Sequence, residues 1–320
     1  MTRALITGGA GFIGSHLADR LLADDHQVVL LDDLSTGRHE NVEHLLDRPD
    51  VELVLGSILN ADLVDDAVSR CDRVYHLAAA VGVELIVERP LESLRTNIRG
   101  AEIVLEKAHK YGTPILVTST SEIYGKNDSD RLRETDDRVL GSPLKTRWAY
   151  SEAKAIEEVL AYTYFRARGL HTVVARLFNT VGPRQTGAYG MVIPRFAEQA
   201  IRGDDVTVYG DGTQSRCFCH VEDIVGALPE LMEHPEAPGG AINLGSTEEI
   251  TIAALAERVI ARAGSASKVR YVPYDAAYEE GFEDMARRVP ALDRAAALVG
   301  FSPRHDLDDI IDGVLRERRR

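Results

Sequence analysis

The chain has 320 residues, enough for one large core and a smaller lobe, and its 44% hydrophobic and 28% charged content is that of an ordinary globular protein. Lys and Arg number 37 against 51 Asp and Glu, giving a formal charge of -14, a field that repels nucleic acid and anionic membrane. No apolar run is long enough to span a bilayer, and a strand begins almost at the first residue, so no membrane anchor and no signal peptide are expected and the cytoplasm is the expected location.

Arg3 to Thr7 reads as a short apolar strand, followed by Gly8-Gly9-Ala10-Gly11-Phe12-Ile13-Gly14 and a helix beginning near Ser15. Glycines at 8, 11 and 14 let the backbone turn tightly, approach a pyrophosphate and bring helix against strand, with the helix N-terminus facing the anion. A glycine triplet alone is weak evidence, but here it sits between strand and helix. Gln27 to Leu31 then reads as a second strand ending at Asp32, which follows Gly11 by 21 residues. A carboxylate there accepts the adenosine ribose hydroxyls and repels a 2′-phosphate, so NAD is expected over NADP. Arg38 is the neighbour able to soften that preference.

Val51 to Leu55 is a third strand, and Arg73 to Leu77 a fourth that runs into Ala78-Ala79-Ala80, small residues beside which a dinucleotide can lie close. Leu91 to Tyr111 reads as a long amphipathic helix carrying Asn97, and Ile115 to Thr118 as a fifth strand. Strand alternating with helix predicts a doubly wound parallel sheet, an α/β Rossmann fold, with its crevice at the carboxyl ends of the strands, where Gly8, Asp32, Ala78 and Ser119 fall.

The fifth strand ends in Thr118-Ser119-Thr120-Ser121-Glu122, and hydroxyls beyond a strand end are often mere turn chemistry. Glu122 is harder to set aside, because an acid beside an apolar strand end is costly without a partner or a task. After a polar loop from Asp128 to Val139, Trp148 to Arg168 reads as a helix with Tyr150 four residues ahead of Lys154, both on one face. A nearby ammonium favours phenolate over phenol, so the tyrosine pKa is expected to fall and Tyr150 to act in proton transfer. Such a pair occurs by chance on many surface helices; the phosphate-binding turn and the hydroxyl-rich strand end give it weight. Val173 to Phe178 is a sixth strand.

Thr7 to Gly14, His76-Leu77-Ala78-Ala79, Tyr150-x-x-x-Lys154 and the run Arg176-Leu177-Phe178-Asn179-Thr180-Val181-Gly182-Pro183-Arg184 together resemble the extended short-chain dehydrogenase/reductase family, whose members are nucleotide-sugar epimerases, dehydratases and decarboxylases. The resemblance runs from residue 2 to about 315. It implies an NAD held tightly and recycled within one turnover, with Tyr150 as acid/base, Lys154 as its tuner and nicotinamide-ribose ligand, and Thr120 beside carbon 4 of the sugar. Gly8, Gly11, Phe12, Ile13, Gly14, Asp32, Ser57, Ile58, Leu77, Ala78 and Ala79 are the other implied cofactor residues. Ser57 stands where relatives often carry an aspartate near the adenine. The two long helices imply a homodimer joined through a four-helix bundle.

Beyond Asn179 the pattern turns irregular. A loop from Gly187 to Pro194 leads into a helix from Arg195, Val206 to Gly212 is a strand and tight turn, and His220-Val221-Glu222-Asp223 opens another helix. The resemblance implies a UDP-sugar held by Asn179, Tyr209, Arg216 and Arg288, the two arginines clamping a diphosphate, for which paired guanidinium groups are physically suited. Arg287 reads as a solvated surface side chain. Asn243 to Gly245 returns to the main sheet, so residues 1–178 with 222–246 form the cofactor domain, and 179–221 with 247–320 a smaller α/β substrate lobe. Cys71, Cys217 and Cys219 read as buried free thiols, with His220 on the opposite strand face from the latter two and no metal expected. Residues 316–320 read as a frayed helix end.

Thr120-Ser121-Glu122 is similar to the triplet of UDP-glucuronate decarboxylases. Oxidation of carbon 4 by NAD would make a β-keto acid, loss of carbon dioxide would follow, and re-reduction would give UDP-xylose. Ser121 would help relay the hydroxyl and Glu122 orient the sugar or manage its carboxylate. Two departures keep a UDP-sugar 4-epimerase close: Met191 where decarboxylases have an arginine, and Val81-Gly82-Val83-Glu84 in place of a loop containing proline and tyrosine. A non-catalytic NAD-sensing regulator is the remote alternative, and the intact Tyr150 and Lys154 pair weighs against it.

Overall fold

The computed structural model describes residues 1–80, 90–187, 191–273, 285 and 287–319; the departure at 81–84, part of the loop at 187–194 and the last residue of the chain lie outside them. Seven strands make the central sheet: Arg3–Thr7 (β1), Gln27–Asp32 (β2), Val51–Leu55 (β3), Arg73–His76 (β4), Ile115–Thr120 (β5), Thr172–Leu177 (β6) and Ala241–Leu244 (β7). They run parallel in the order β7-β6-β5-β4-β1-β2-β3. The order reverses between β1 and β4, which opens a crevice outside the carboxyl ends of those strands.

Both faces of the sheet are covered, so its strands are near-continuous apolar runs rather than alternating ones. Ala4 and Ile6 of β1 and Val28 and Leu30 of β2 face one layer, packed by Leu17 and Leu21 of helix α1 (Phe12–Ala23) together with Leu228 and Leu231. Leu5, Val29 and Leu31 face the other, packed by Val64 and Val68 of α2 (Ala61–Ser69), Ile103 and Val104 of α3 (Pro90–Tyr111) and Ala161 of α4 (Ala149–Arg168). Each fully buried Leu or Ile in these layers contributes about 1.5–3 kcal/mol relative to exposure. Helix ends are set locally. The Asn60 side chain accepts from the Leu63 amide to cap α2, and α4 stops at Gly169, whose φ of +68° is the left-handed turn that favours glycine.

The remaining elements form a smaller α/β lobe with its own core. Ile193 and Phe196 of α5 (Val192–Arg202), Val206 and Val208 of the strand Val206–Tyr209, Leu255 and Val259 of the helix Ile252–Ala263, and Ile310 and Val314 of the helix Leu307–Arg318 pack together. The strand Val206–Tyr209 pairs in parallel with Val269–Val272, away from the main sheet. Between them in sequence, α6 (Val221–Glu233) and β7 return to the large domain, α6 against α1 and β7 beside β6.

Candidate functional site

One cleft of about 820 Å³ follows the carboxyl ends of the main sheet and continues into the smaller lobe. At one end it is built for a dinucleotide. Gly8 has a φ of +71°, and a Cβ there would stand 2.8 Å from the Ala78 nitrogen; a Cβ on Gly14 would overlap the Gly8 carbonyl. α1 opens with Gly11 at its N-cap, no side-chain cap and no acidic residue in its first turn, so its amides face the cleft for a pyrophosphate. Asp32 ends β2 and is buried, its Oδ2 accepting from the Ala10 amide at 2.9 Å and its Oδ1 from Leu34 at 2.8 Å. Burial pushes its pKa up, against those backbone bonds. Arg38 also lines the cleft and pairs with Glu40 at 3.5 Å.

Phe12, Ile13, Ser57, Ile58, Leu77, Ala78 and Ala79 line the same stretch. Ser57 Oγ accepts from the Leu59 amide, and Asn97 of α3, buried, brackets Ala80 by accepting from its nitrogen at 2.8 Å and donating to its carbonyl at 3.2 Å. Ser119 Oγ is buried in the wall without a hydrogen-bond partner. These residues fit NAD: a close-approach turn, an open helix N-terminus, an acid at the ribose position and an orphan hydroxyl further in.

The candidate catalytic pair lies deeper. Tyr150 and Lys154 both line the cleft, one helical turn apart on α4. Lys154 is buried and donates to the Thr118 carbonyl at 2.8 Å and to Glu157 Oε2 at 2.7 Å. The expectation of a lowered tyrosine pKa is corrected here. Burial raises the Tyr150 phenol well above its ordinary value, and the carboxylates of Glu157 and Glu122 add to the rise. The lysine that was to favour phenolate is paired at 2.7 Å with the carboxylate of Glu157, a residue the sequence reading left out.

At the far end sit Thr120, Ser121 and Glu122. Thr120 Oγ1 accepts from the Glu122 amide at 3.1 Å and so starts the short 3-10 turn Ser121–Tyr124 that aims the acid inward. Glu122 is gripped twice, its Oε1 accepting from Arg288 Nη1 at 2.5 Å and its Oε2 lying 2.5 Å from Arg147 Nη1. Burial alone would raise this carboxyl, but Arg288 and then Arg147 outweigh it and hold it down to about 2. Arg288 Nη1 also donates to Ser121 Oγ at 3.3 Å.

The structure therefore brings Arg288 onto the acid, whereas the sequence reading paired it with Arg216 on a diphosphate. Arg216 is buried in the cleft and donates to the Ser215 carbonyl at 2.7 Å. Tyr209 lines the same part with the Arg195 guanidinium 4.4 Å over its ring, and Asn179, also in the wall, donates to the Cys217 carbonyl at 2.8 Å. Arg287 turns outward to Glu249 at 2.7 Å, a surface pair. Arg147 and Glu157 were missed, although their spacing carried a signal. Glu157 stands three residues after Lys154, one helical turn away, and Arg147 three before Tyr150, on the 3-10 turn Thr146–Trp148 that leads into α4.

Cys71, Cys217 and Cys219 are free and buried, and burial pushes the Cys71 thiol up to about 11 and Cys217 to about 12. Among the described residues one group has metal-like composition: His220, Glu222 and His305. Its geometry reads as a helix cap. His220 Nδ1 accepts from the Glu222 amide at 3.2 Å, and its ring stacks on His305 at 4.3 Å, so the in-plane lone pairs of the two rings do not converge.

Residues 4–245 match the family model described as the NAD dependent epimerase/dehydratase family. A UDP-N-acetyl-alpha-D-glucosaminuronate decarboxylase of Bacillus cytotoxicus is 39% identical over 302 residues, covering 94% of this chain and 92% of the relative. UDP-glucuronic acid decarboxylase 1 of Danio rerio is 36% identical, covering 98% of this chain and 72% of the relative. Among solved structures, the Thermus thermophilus UDP-glucose 4-epimerase in complex with NAD superposes with a TM-score of 0.87 at 30% identity, covering 99% of each chain.

Proposed function

We propose, for a chain that belongs to the NAD dependent epimerase/dehydratase family, the NAD-dependent decarboxylation of UDP-glucuronate to UDP-xylose. The observation that carries this reading is Glu122 held ionised between Arg147 and Arg288 at the sugar end of the cleft. Two guanidinium groups on one carboxylate leave a net positive site, which suits a sugar that brings a carboxylate of its own. The decarboxylases among the relatives supply the same substrate class, with a glucuronate or an N-acetylglucosaminuronate.

The chemistry follows from where the side chains stand. Tyr150, in the phenolate form the step requires, accepts the proton of the carbon-4 hydroxyl, which Thr120 and Ser121 orient. A dinucleotide held by Gly8, Gly11, Gly14, Asp32 and Lys154 would supply a hydride acceptor for carbon 4 and the hydride for the return step. The ketone at carbon 4 is β to the carboxylate on carbon 5, so the bond between carbons 5 and 6 can break. Its electrons pass to the carbon-4 oxygen as an enolate and carbon dioxide leaves. Donors fixed around that oxygen stabilise the charge without reorganising, and carbon 5 is then reprotonated. Glu122 and Arg288 sit where the leaving carboxylate would be oriented. Gly8, Gly11 and Gly14 cradle the pyrophosphate, Asp32 takes the adenosine ribose, Lys154 takes the nicotinamide ribose, and Arg216 with Tyr209 and Asn179 hold the UDP.

A second reading shares every step to the ketone. The T. thermophilus neighbour is a UDP-glucose 4-epimerase. A ring that turns over before hydride returns would be epimerised without loss of mass. Purified protein given UDP-glucuronate, UDP-N-acetylglucosaminuronate and UDP-glucose separates the two. Loss of carbon dioxide from an acid substrate, seen in the product mass, is the expected result; an unchanged mass with inverted carbon 4 would replace it with epimerisation. We further read residues 1–178 with 222–246 as the cofactor domain and the rest as the substrate lobe. Leu91, Ile156, Val159 and Tyr162 are exposed on α3 and α4, which supports a homodimer formed there. The buried free thiols accord with a reducing, cytoplasmic setting.

A further inference from the structure

Behind the Tyr150 and Lys154 pair lies a chain of buried polar groups that the reaction as written does not use. Glu157, on the turn of α4 after Lys154, is 1% exposed, and nothing on the protein surface explains a carboxylate there. Its Oε2 accepts from Lys154 Nζ at 2.7 Å, and the same ammonium donates to the Thr118 carbonyl of β5 at 2.8 Å. Its Oε1 has no hydrogen-bond partner within normal reach, and His76 Nε2 of β4 stands 3.6 Å from it. His76 Nδ1 lies 2.7 Å from Thr7 Oγ1 of β1.

The proton positions along this chain can be assigned from the donors. Thr7 Oγ1 accepts from the Ala78 amide at 3.3 Å, so its own proton is free for His76 Nδ1. With Nδ1 accepting from Thr7, the imidazole carries its proton on Nε2, which stands 3.6 Å from Glu157 Oε1. Burial, and then the Lys154 charge, push His76 down to about 3, so the ring stays neutral and is no counter-ion for Glu157. Thr118 Oγ1 also donates to the His76 carbonyl at 3.1 Å, tying the two strand ends together. The chain thus runs from Ala78, in the cofactor wall, through Thr7, His76 and Glu157 to the catalytic lysine.

We propose that Glu157 is a positioning residue: it fixes the Lys154 ammonium against the Thr118 carbonyl and, by offsetting that ammonium, sets the pH at which Tyr150 can accept a proton. The first half follows from geometry. An ammonium has three donors, and with two committed to Glu157 and Thr118 the third points into the cleft, where a ribose hydroxyl would meet it. The second follows from charge. The Glu157 carboxylate disfavours phenolate at Tyr150, while an ammonium on the same helical face acts in the opposite sense. Glu157 meets Lys154 and Glu158 of its own helix, His76 of β4 and the β5 carbonyl of Thr118, while Tyr150 also feels Glu122. Among the described residues α3, packed against α4, gives Glu157 no charged partner. The inference deepens the functional reading above and rests on it only for the identity of the reaction.

Glu157→Gln is the test, because it keeps the shape and one acceptor while removing the charge. The protein is loaded with NAD, and the phenolate of Tyr150 is titrated by ultraviolet difference against Tyr150→Phe, with no sugar present. The Tyr150 midpoint is expected to move about one pH unit lower, and the acid limb of turnover on UDP-glucuronate to move with it. Glu157→Ala, which frees the ammonium, is expected to speed NAD release on the order of tenfold. An unmoved phenolate midpoint in a folded Glu157→Gln protein would overturn the proposal. Should that variant not fold, Glu157→Asp is read instead: it keeps the charge on a shorter arm, so faster NAD release with little change in midpoint supports the proposal, and unchanged NAD release overturns it. A protein that turns over no UDP-sugar yet shows the shifted midpoint loses its functional reading and keeps this one. A protein that releases carbon dioxide with an unmoved midpoint does the reverse.

Discussion

A half-buried glutamate, Glu122, and a fully buried one, Glu157, flank the candidate catalytic tyrosine, and their pKa values are displaced in opposite directions. Glu122 has a guanidinium on each oxygen, Arg288 and Arg147, both at 2.5 Å, and is held down to about 2 although burial alone would push it up. Glu157 has one ammonium, at 2.7 Å, and burial still wins, so its carboxyl is raised. Desolvation of a carboxylate in a protein interior opposes ionisation by several kcal/mol, and one cation that is itself desolvated does not repay it. Two do, and they leave a positive charge over. The end of the cleft at Glu122 therefore carries net positive charge around a fixed acid, whereas the paired Lys154 and Glu157 behind the tyrosine cancel. Tyr150 lies between them and is pushed upward by both carboxylates.

The largest effect expected from breaking this arrangement is at the point where the two acids meet. Tyr150→Phe removes the proton acceptor, and turnover of UDP-glucuronate should fall by about 10²–10⁴-fold, the usual worth of a positioned general base. NAD should remain bound, because the cradle at Gly8, Gly11 and Gly14 is untouched; retention is read by absorbance of the desalted protein. Turnover within tenfold of wild type would remove Tyr150 from the mechanism.

Next in size is the removal of one of the two cations. Arg288→Met leaves Glu122 with Arg147 alone, which converts the first glutamate into a copy of the second. Breaking a buried ion pair by deleting one partner costs about 3–5 kcal/mol, and thermal unfolding should report a loss of that order at neutral pH. The loss should shrink on mild acidification, as Glu122 now takes up a proton more readily. A variant as stable as wild type across that range would mean that Arg147 alone suffices and that the count of cations is not what separates the two sites.

Acid stability is a gentler version of the same test. The folded-state pKa of Glu122 lies below its ordinary value of 4.5, so its contribution is complete above about pH 4.5 and is lost as pH falls toward about 2. Spread over that window the contribution is about 3 kcal/mol. Glu157 has the opposite sign: its raised pKa means that its protonated form is preferred on folding, which favours stability at low pH and withdraws it as pH rises. Glu122→Gln should flatten the acid limb of the stability curve, while Glu157→Gln should leave that limb in place. Chemical denaturation at several pH values below 5 decides it, and parallel curves for the two variants would sink the distinction.

How much of this could be read in the chain depends on whether a residue acts locally or through the fold. Gly8, Gly11, Gly14 and Asp32 form one unit of strand, turn, helix and strand, so spacing along the sequence already determines spacing in space. Tyr150 and Lys154 share a helix turn, and their juxtaposition was equally legible. The partner that changes their chemistry was not. Glu157 is visible at helical spacing from Lys154, but whether it is buried depends on α4 packing against β4 and β5, and His76 comes from a strand 81 residues earlier. The pairing of Glu122 with Arg288 joins positions 166 residues apart. Arg288 was singled out as a substrate arginine and placed on the diphosphate, because a sequence shows that a guanidinium is available and not which anion it meets.

The smallest expected effect concerns a third carboxylate, buried and without a paired cation among the described residues. Asp32 is held by backbone amides, Ala10 at 2.9 Å and Leu34 at 2.8 Å, while Arg38 beside it is paired with Glu40. Burial raises Asp32 as it raises Glu157, and amides answer it in place of an ammonium. Asp32→Asn keeps one acceptor and removes the charge. Hydrogen bonds to a charged group are worth about 1 kcal/mol more than neutral ones, so NAD should bind roughly five- to tenfold more weakly. The same change removes the repulsion of a 2′-phosphate, so the preference for NAD over NADP should narrow from both sides. Titration of the stripped protein with each dinucleotide, followed by quenching of its single tryptophan, Trp148, measures both affinities. If NAD affinity holds and NADP stays excluded, the carboxylate does not face the ribose, and the exclusion of the phosphate must come from the shape of the turn through Arg38 instead.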